Sequence, residues 1–144
     1  MDKSDLIRQE IQSIPSETRL AESMEIDELS TIDALKVINE QDKTVPFSIS
    51  NALEDIAEAV DASVQAISQG GRLIYVGAGT SGRLGILDAV ECRPTFSVPD
   101  ELVVGLIAGG ERALMHAVEG AEDNALAGRQ DLVDISLCSK DVVI

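Results

Sequence analysis

The chain has 144 residues, 44% of them hydrophobic and 2% aromatic, which suits one domain with an aliphatic core. Its 26 acidic and 11 basic residues leave a formal net charge of −15, which argues against nucleic acid or an anionic membrane as a partner, since both need a positive face. No apolar run approaches spanning length, the start Met1-Asp2-Lys3-Ser4-Asp5-Leu6 lacks a signal-peptide core, and the two cysteines, Cys92 and Cys138, have no zinc spacing. A soluble cytoplasmic protein in a reducing compartment is expected.

Leu6, Ile7, Ile11 and Ile14 recur at helical spacing and predict a helix over Ser4 to Ile14, closed by Pro15. Ser16-Glu17-Thr18-Arg19 reads as a polar link. Ser30-Thr31-Ile32-Asp33 resembles a capping box with Asp in the usual Glu position. Ile32, Leu35, Val37 and Ile38 then carry a helix to about Glu40. Val45-Pro46 predicts the start of a longer helix whose apolar stripe is Ile49, Leu53, Ile56, Val60, Val64 and Ile67, ended by Gly70-Gly71.

From Arg72 the pattern changes. Leu73 to Val76 reads as a buried strand. It stops in Gly77-Ala78-Gly79-Thr80-Ser81-Gly82, and a helical pattern follows from Leu84 to about Val90, broken at Glu91-Cys92-Arg93-Pro94. Leu102 to Ala108 is a second apolar strand, ending at Gly109-Gly110. A short helix over Arg112 to Val118, an interruption at Glu119-Gly120-Ala121-Glu122-Asp123 and a helix from about Asn124 to Val133 follow. Asp141 to Ile144 opens a third strand. Wholly apolar strands alternating with helices predict an α/β fold with a parallel sheet covered on both faces. Because the sequence stops within that strand, the chain is expected to be the front part of a longer protein.

Strand, glycine-rich turn and helix start, in that order, make an anion site, because free N–H groups of the first helical turn point into the turn. Gly77-x-Gly79-x-x-Gly82 matches the dinucleotide fingerprint, which is weak evidence by itself. The hydroxyls of Thr80 and Ser81 suit a phosphate monoester better, and the absence of a Lys after the last glycine disfavours a nucleoside triphosphate. A plain tight turn stays open. The mostly helical stretch ahead of the loop disfavours a nicotinamide dehydrogenase, whose fold begins with the fingerprint strand.

The run Gly71 to Gly85, continued by Asp88-Ala89-Val90-Glu91-Cys92, closely resembles the N-acetylmuramic acid 6-phosphate etherase family. So do Val103 to Gly110, Ala117 to Asp123, Asp27 to Thr31 and Asn39 to Asp42. The resemblance covers nearly the whole chain after about residue 16. It implies a sugar-isomerase (SIS) fold with a five-stranded parallel sheet between helices, here truncated after the third strand. Residues 1–44 would then be an N-terminal helical arm and residues 45–144 the first part of a SIS phosphosugar-binding domain.

The implied reaction is lyase-type: cleavage of the D-lactyl ether of N-acetylmuramic acid 6-phosphate in cell-wall recycling, with no metal or nucleotide. A related branch, the glucokinase regulatory protein, binds phosphosugars without catalysis and supplies the alternative. By the family pattern Glu91 is the acid–base residue and Glu122 its partner. Gly77, Gly79, Thr80, Ser81 and Gly82 are expected to bind the substrate phosphate. The family's Glu-Cys-Pro-Pro is departed from at Arg93, and its Arg-Asn-Pro at Arg19-Leu20-Ala21. The family's second Ser-Gly loop, which follows the strand at Asp141 to Ile144, lies beyond this sequence, so the 144-residue chain alone is expected to be inactive.

Asp88 is expected to face solvent, Arg83 to pair with phosphate or to lie on the surface, and Arg93 to depress the pKa of Glu91. His116, the single histidine, is read as structural. Glu91 stands ten positions beyond Ser81, roughly 15 Å along a continuous helix, whereas the reacting carbons of a hexose 6-phosphate lie about 5–7 Å from phosphorus. Unless the helix breaks early, near Gly85, a homodimer must bring Glu91 to a neighbour's sugar.

Overall fold

The computed structural model describes residues 18–144. The helix expected over Ser4 to Ile14 lies outside them. The chain divides into two compact units, Met1–Leu53 and Glu54–Ile144.

In the first unit two short 3-10 turns, Ala21–Ser23 and Ile26–Glu28, precede α1, Thr31–Asp42. Ser30 caps α1: its hydroxyl accepts from the Asp33 N–H at 3.3 Å and donates to the Asp33 carboxylate at 2.6 Å. That is a capping box closed through the two side chains, because Asp is too short to reach the cap N–H as Glu does. α2 follows at Thr44–Ser50, with Pro46 in its first turn, where no backbone donor is needed.

The expected long helix is in fact two. α2 ends at Ser50 and α3 runs Leu53–Ser68, with a turn at Asn51-Ala52. The Ser48 and Ser50 hydroxyls bond back to the carbonyls of Thr44 and Pro46, competing with the helical amides just before the turn. The apolar stripe also departs from expectation. Leu53, Ile56, Val60 and Val64 are exposed, and Ala66 is the buried residue of α3.

The second unit holds a parallel sheet in the order β2-β1-β3, with β1 at Leu73–Gly77, β2 at Val103–Ile107 and β3 at Val142–Val143. Leu73 pairs with Val103 on one side and Val142 on the other. α4, Gly79–Phe96, joins β1 to β2 and packs on both. Two close approaches fix it there. A methyl on Gly105 of β2 would stand 2.7 Å from Ile86, and one on Gly85 of α4 would stand 2.8 Å from Tyr75 Cβ. α5, Arg112–Met115, and α6, Ala125–Asp134, lie between β2 and β3. α5 is shorter than expected, since His116 turns to extended backbone. Asn124 caps α6 by accepting the Ala127 N–H at 3.0 Å.

The core is small and aliphatic: Ile74, Val103, Ile107, Ala113 and Ala66 are the buried hydrophobic residues described. Arg72 and Asp141 precede β1 and β3 at matching positions and form a clamp between them. Asp141 accepts the Arg72 N–H, Nε and a terminal N–H, the last at 2.7 Å, and also the Cys138 N–H. Arg72 caps the carbonyls of Ile135 and Ser136 with its remaining donors. The Asp141 carboxylate is 1% exposed, and the Arg72 guanidinium holds its pKa far below the usual carboxylate range, with burial opposing the drop and backbone donors adding to it.

Candidate functional site

α4 begins at Gly79, five residues ahead of the expected Leu84, so the glycine-rich stretch is itself the first helical turn. Gly79 adopts φ +54°, a left-handed conformation that glycine takes without strain, and lets the chain turn directly from strand into helix. Gly77 and Gly82 then touch: a methyl on Gly82 would meet Gly77 O at 2.6 Å, and one on Gly77 would meet Gly82 N at 2.7 Å. The first helical bond runs from Gly82 N–H to Ala78 O at 3.2 Å. Among the described residues, nothing accepts from the N–H groups of Gly79, Thr80 and Ser81, and the two hydroxyls are exposed. Free donors at the positive end of an 18-residue helix are what an anion requires.

A crevice of about 350 Å³ opens at the carboxyl ends of β1 and β2. Val76, Gly77 and Ala78 from the end of β1, Leu106 to Ala108 from the end of β2, and Glu122, Asn124 and Asp131 line it. Glu122 thus stands in a crevice with Gly77, at the place where parallel α/β sheets bind ligands. Asn124 and Asp131 were not singled out in the sequence. Their only signal was position, at the cap and on the flank of the helix following Glu122.

Ser81 faces elsewhere. With Tyr75, Leu84, Gly85 and Asp88 it lines a groove on the α4 side of β1. Asp88 is therefore exposed but placed over that groove rather than simply in solvent. Burial first, and the Asp88 carboxylate second, push the Tyr75 phenol up to about 12. Burial, assisted by Asp88, also raises the pKa of the Cys92 thiol.

Glu91 lies outside both. α4 continues unbroken through Gly85 and Glu91 to Phe96, with Pro94 inside its last turn. The expected break is absent because a proline there removes only the bond to Val90, while Ser97 closes the helix with φ +56° and an N–H to Arg93 O at 2.9 Å. Glu91 is exposed on the fourth turn and lines neither the crevice nor the groove. Arg93 pairs with Asp100 instead of Glu91. Arg83 donates to the carbonyls of Leu114 and His116 at 3.2 and 3.5 Å.

Among the described residues no three His, Cys, Asp or Glu side chains converge to hold a metal, and no helix is long and apolar enough to cross a membrane.

A family model described as the glucokinase regulatory protein N-terminal SIS domain matches residues 55–144. The chain belongs to this SIS-domain family. It is 58% identical to an N-acetylmuramic acid 6-phosphate etherase of Pasteurella multocida over 93% of its length, and 56% identical to one of Actinobacillus pleuropneumoniae over 90%. Over its whole length it is 54% identical to the etherase of Glaesserella parasuis. The chain spans 42–47% of these relatives' own lengths. The resemblance read from the sequence is thus present along the chain, and the parallel sheet flanked by helices agrees with the SIS match.

Proposed function

We propose that this SIS-domain chain supplies the first part of a site that cleaves the D-lactyl ether of N-acetylmuramic acid 6-phosphate, giving N-acetylglucosamine 6-phosphate and D-lactate. The observation that carries the reading is Glu122 beside Gly77 in the crevice at the strand ends, next to a helix start with free donors, in a chain more than half identical to named etherases.

In this reading the N–H groups and hydroxyls of the Gly77 to Gly82 turn hold the 6-phosphate. The C2 proton of the open-chain sugar is acidified by the C1 aldehyde. A carboxylate removes it, the other carboxyl protonates the C3 ether oxygen as D-lactate departs, and water adds to the resulting double bond. Glu91 and Glu122 divide these roles, and neither a metal nor a nucleotide takes part. A phosphorylated sugar as substrate fits a cytoplasmic location.

The unbroken α4 puts Glu91 roughly 15 Å along the axis from Ser81, too far for one sugar to bridge. We therefore assign Glu91 to the sugar held by a second copy in a homodimer, and expect a single 144-residue chain to be inactive. The test uses the protein at the length of its relatives. A Glu91→Gln chain is mixed with a Thr80→Ala/Ser81→Ala chain, each inactive alone, and D-lactate is measured by mass. Partial recovery supports a shared site; none, with heterodimers demonstrated, places Glu91 and the turn in one subunit's site. The second reading, a phosphosugar-binding regulator, is favoured by the regulatory protein for which the matching family model is named. Tight sugar-phosphate binding with no D-lactate from the full-length protein would select it.

A further inference from the structure

Arg83 is the one strongly engaged side chain near the turn that the reaction does not use. It follows Gly82 directly in α4, yet its hydrogen bonds go 31 and 33 residues away, from Nε to Leu114 O at 3.2 Å and from a terminal N–H to His116 O at 3.5 Å. Both carbonyls lie at the end of α5, where helical acceptors have no partner of their own. The chain leaves His116 without regular structure until α6 begins at Ala125, and this stretch brings Glu122 to the crevice. Its own backbone bonds are long, 3.4 Å from Ala121 N–H to Val118 O and 3.3 Å from Asn124 N–H to Ala121 O. Among the described residues no carboxylate lies within ion-pair distance of Arg83.

We propose that Arg83 is a positioning residue that ties the phosphate turn to the segment leading to Glu122, so that the anion and the carboxylate are held in register. The inference rests on the etherase reading for its consequence, though the tie itself is a matter of geometry. The guanidinium suits the task, since its fixed fork of donors spans two carbonyls, which the single ammonium of lysine does not match. A group acting this way governs the placing of the carboxylate rather than the binding of the phosphate, so its loss should fall on kcat.

The experiment compares Arg83→Lys and Arg83→Met with wild type in the protein at the length of its relatives. It measures kcat and KM for D-lactate release, the Kd of N-acetylglucosamine 6-phosphate, and amide exchange over residues 117–124. A misplaced carboxylate predicts kcat lower by about 10- to 100-fold in both variants. Kd should stay within about threefold and exchange over residues 117–124 should quicken, with β1 and β2 unchanged. Both variants keeping wild-type kcat would overturn the proposal. So would a weakened Kd in Arg83→Met that Arg83→Lys restores, which marks a phosphate ligand. If Arg83→Met does not fold, Arg83→Lys carries the comparison. Wild type releasing no D-lactate sinks the etherase reading alone. Exchange then decides the tie: faster in the variants keeps it, unchanged removes it.

Discussion

Gly82 illustrates how a residue read as part of a ligand loop serves packing first. A methyl there would stand 2.6 Å from Gly77 O and 2.7 Å from Ile107 Cγ1, so the α4 start rests on β1 and β2 with no room for a side chain. Gly82→Ala is expected to cost about 1–3 kcal/mol, as overpacking does, measured by urea unfolding; an unchanged midpoint would contradict the contact. Thr80 and Ser81 are the reverse case, exposed and unengaged, so replacing both with Ala should leave the fold intact. Under the proposed function each lost charge-assisted bond weakens sugar-phosphate binding by about 1.5–3 kcal/mol. Calorimetric titration with N-acetylglucosamine 6-phosphate checks it, and an unaltered Kd removes these hydroxyls from the site. The Gly77-x-Gly79-x-x-Gly82 pattern was legible as a strand-to-helix turn. That Gly77 and Gly82 touch, that Gly79 alone has positive φ, and that Arg83 and Arg93 turn to Leu114 and Asp100 was not, because spacing along a chain does not give partners across it.

At the scale of elements, the apolar strands and the α6 boundaries were readable, since a continuous apolar run is a local signal and α6 begins and ends within one residue of the expected bounds. The split between α2 and α3 was hidden, because serine hydroxyls bonding back to carbonyls leave the apolar spacing intact. The clamp of Arg72 and Asp141 escaped notice too. Its trace was a charge immediately before each of two apolar strands, which acquires meaning only through the register Leu73 to Val142. Asp141→Asn leaves Arg72 partly buried without its counter-charge and is expected to cost about 3 kcal/mol, the low end for a broken buried pair because Arg72 is one-quarter exposed. The folded pKa of Asp141 is depressed, so its stabilisation is complete above the unfolded carboxylate value of about 3.9 and is lost as pH falls below that toward the folded value. Urea midpoints of wild type should therefore drop from pH 5 to pH 2 more steeply than those of Asp141→Asn. Parallel slopes would show that the carboxylate titrates alike in both states.

At the scale of the whole described chain, apolar surface outweighs apolar core. Among the described residues, Leu84, Leu87 and Val90 on α4 and Ile56, Val60 and Val64 on α3 are all exposed, against five buried hydrophobic residues. The 144-residue chain is expected to self-associate at tens of micromolar despite its net charge of −15, as sedimentation velocity would show. A single monomeric boundary across a concentration series would contradict this. The strand order carries a different kind of consequence, one of time. β1 meets β2 through the short α4 crossover, whereas the clamp to β3 closes a span of 69 residues. Closure entropy favours the nearer pairing, and synthesis delivers it first. While the ribosome is still making residues beyond β2, the central strand has one edge without a neighbour, the kind of edge on which nascent chains stick to one another. Arg72 stands at the head of that edge with its charge not yet paired. A charge at a strand edge disfavours edge-to-edge pairing, and Arg72 holds that position until Asp141 is made.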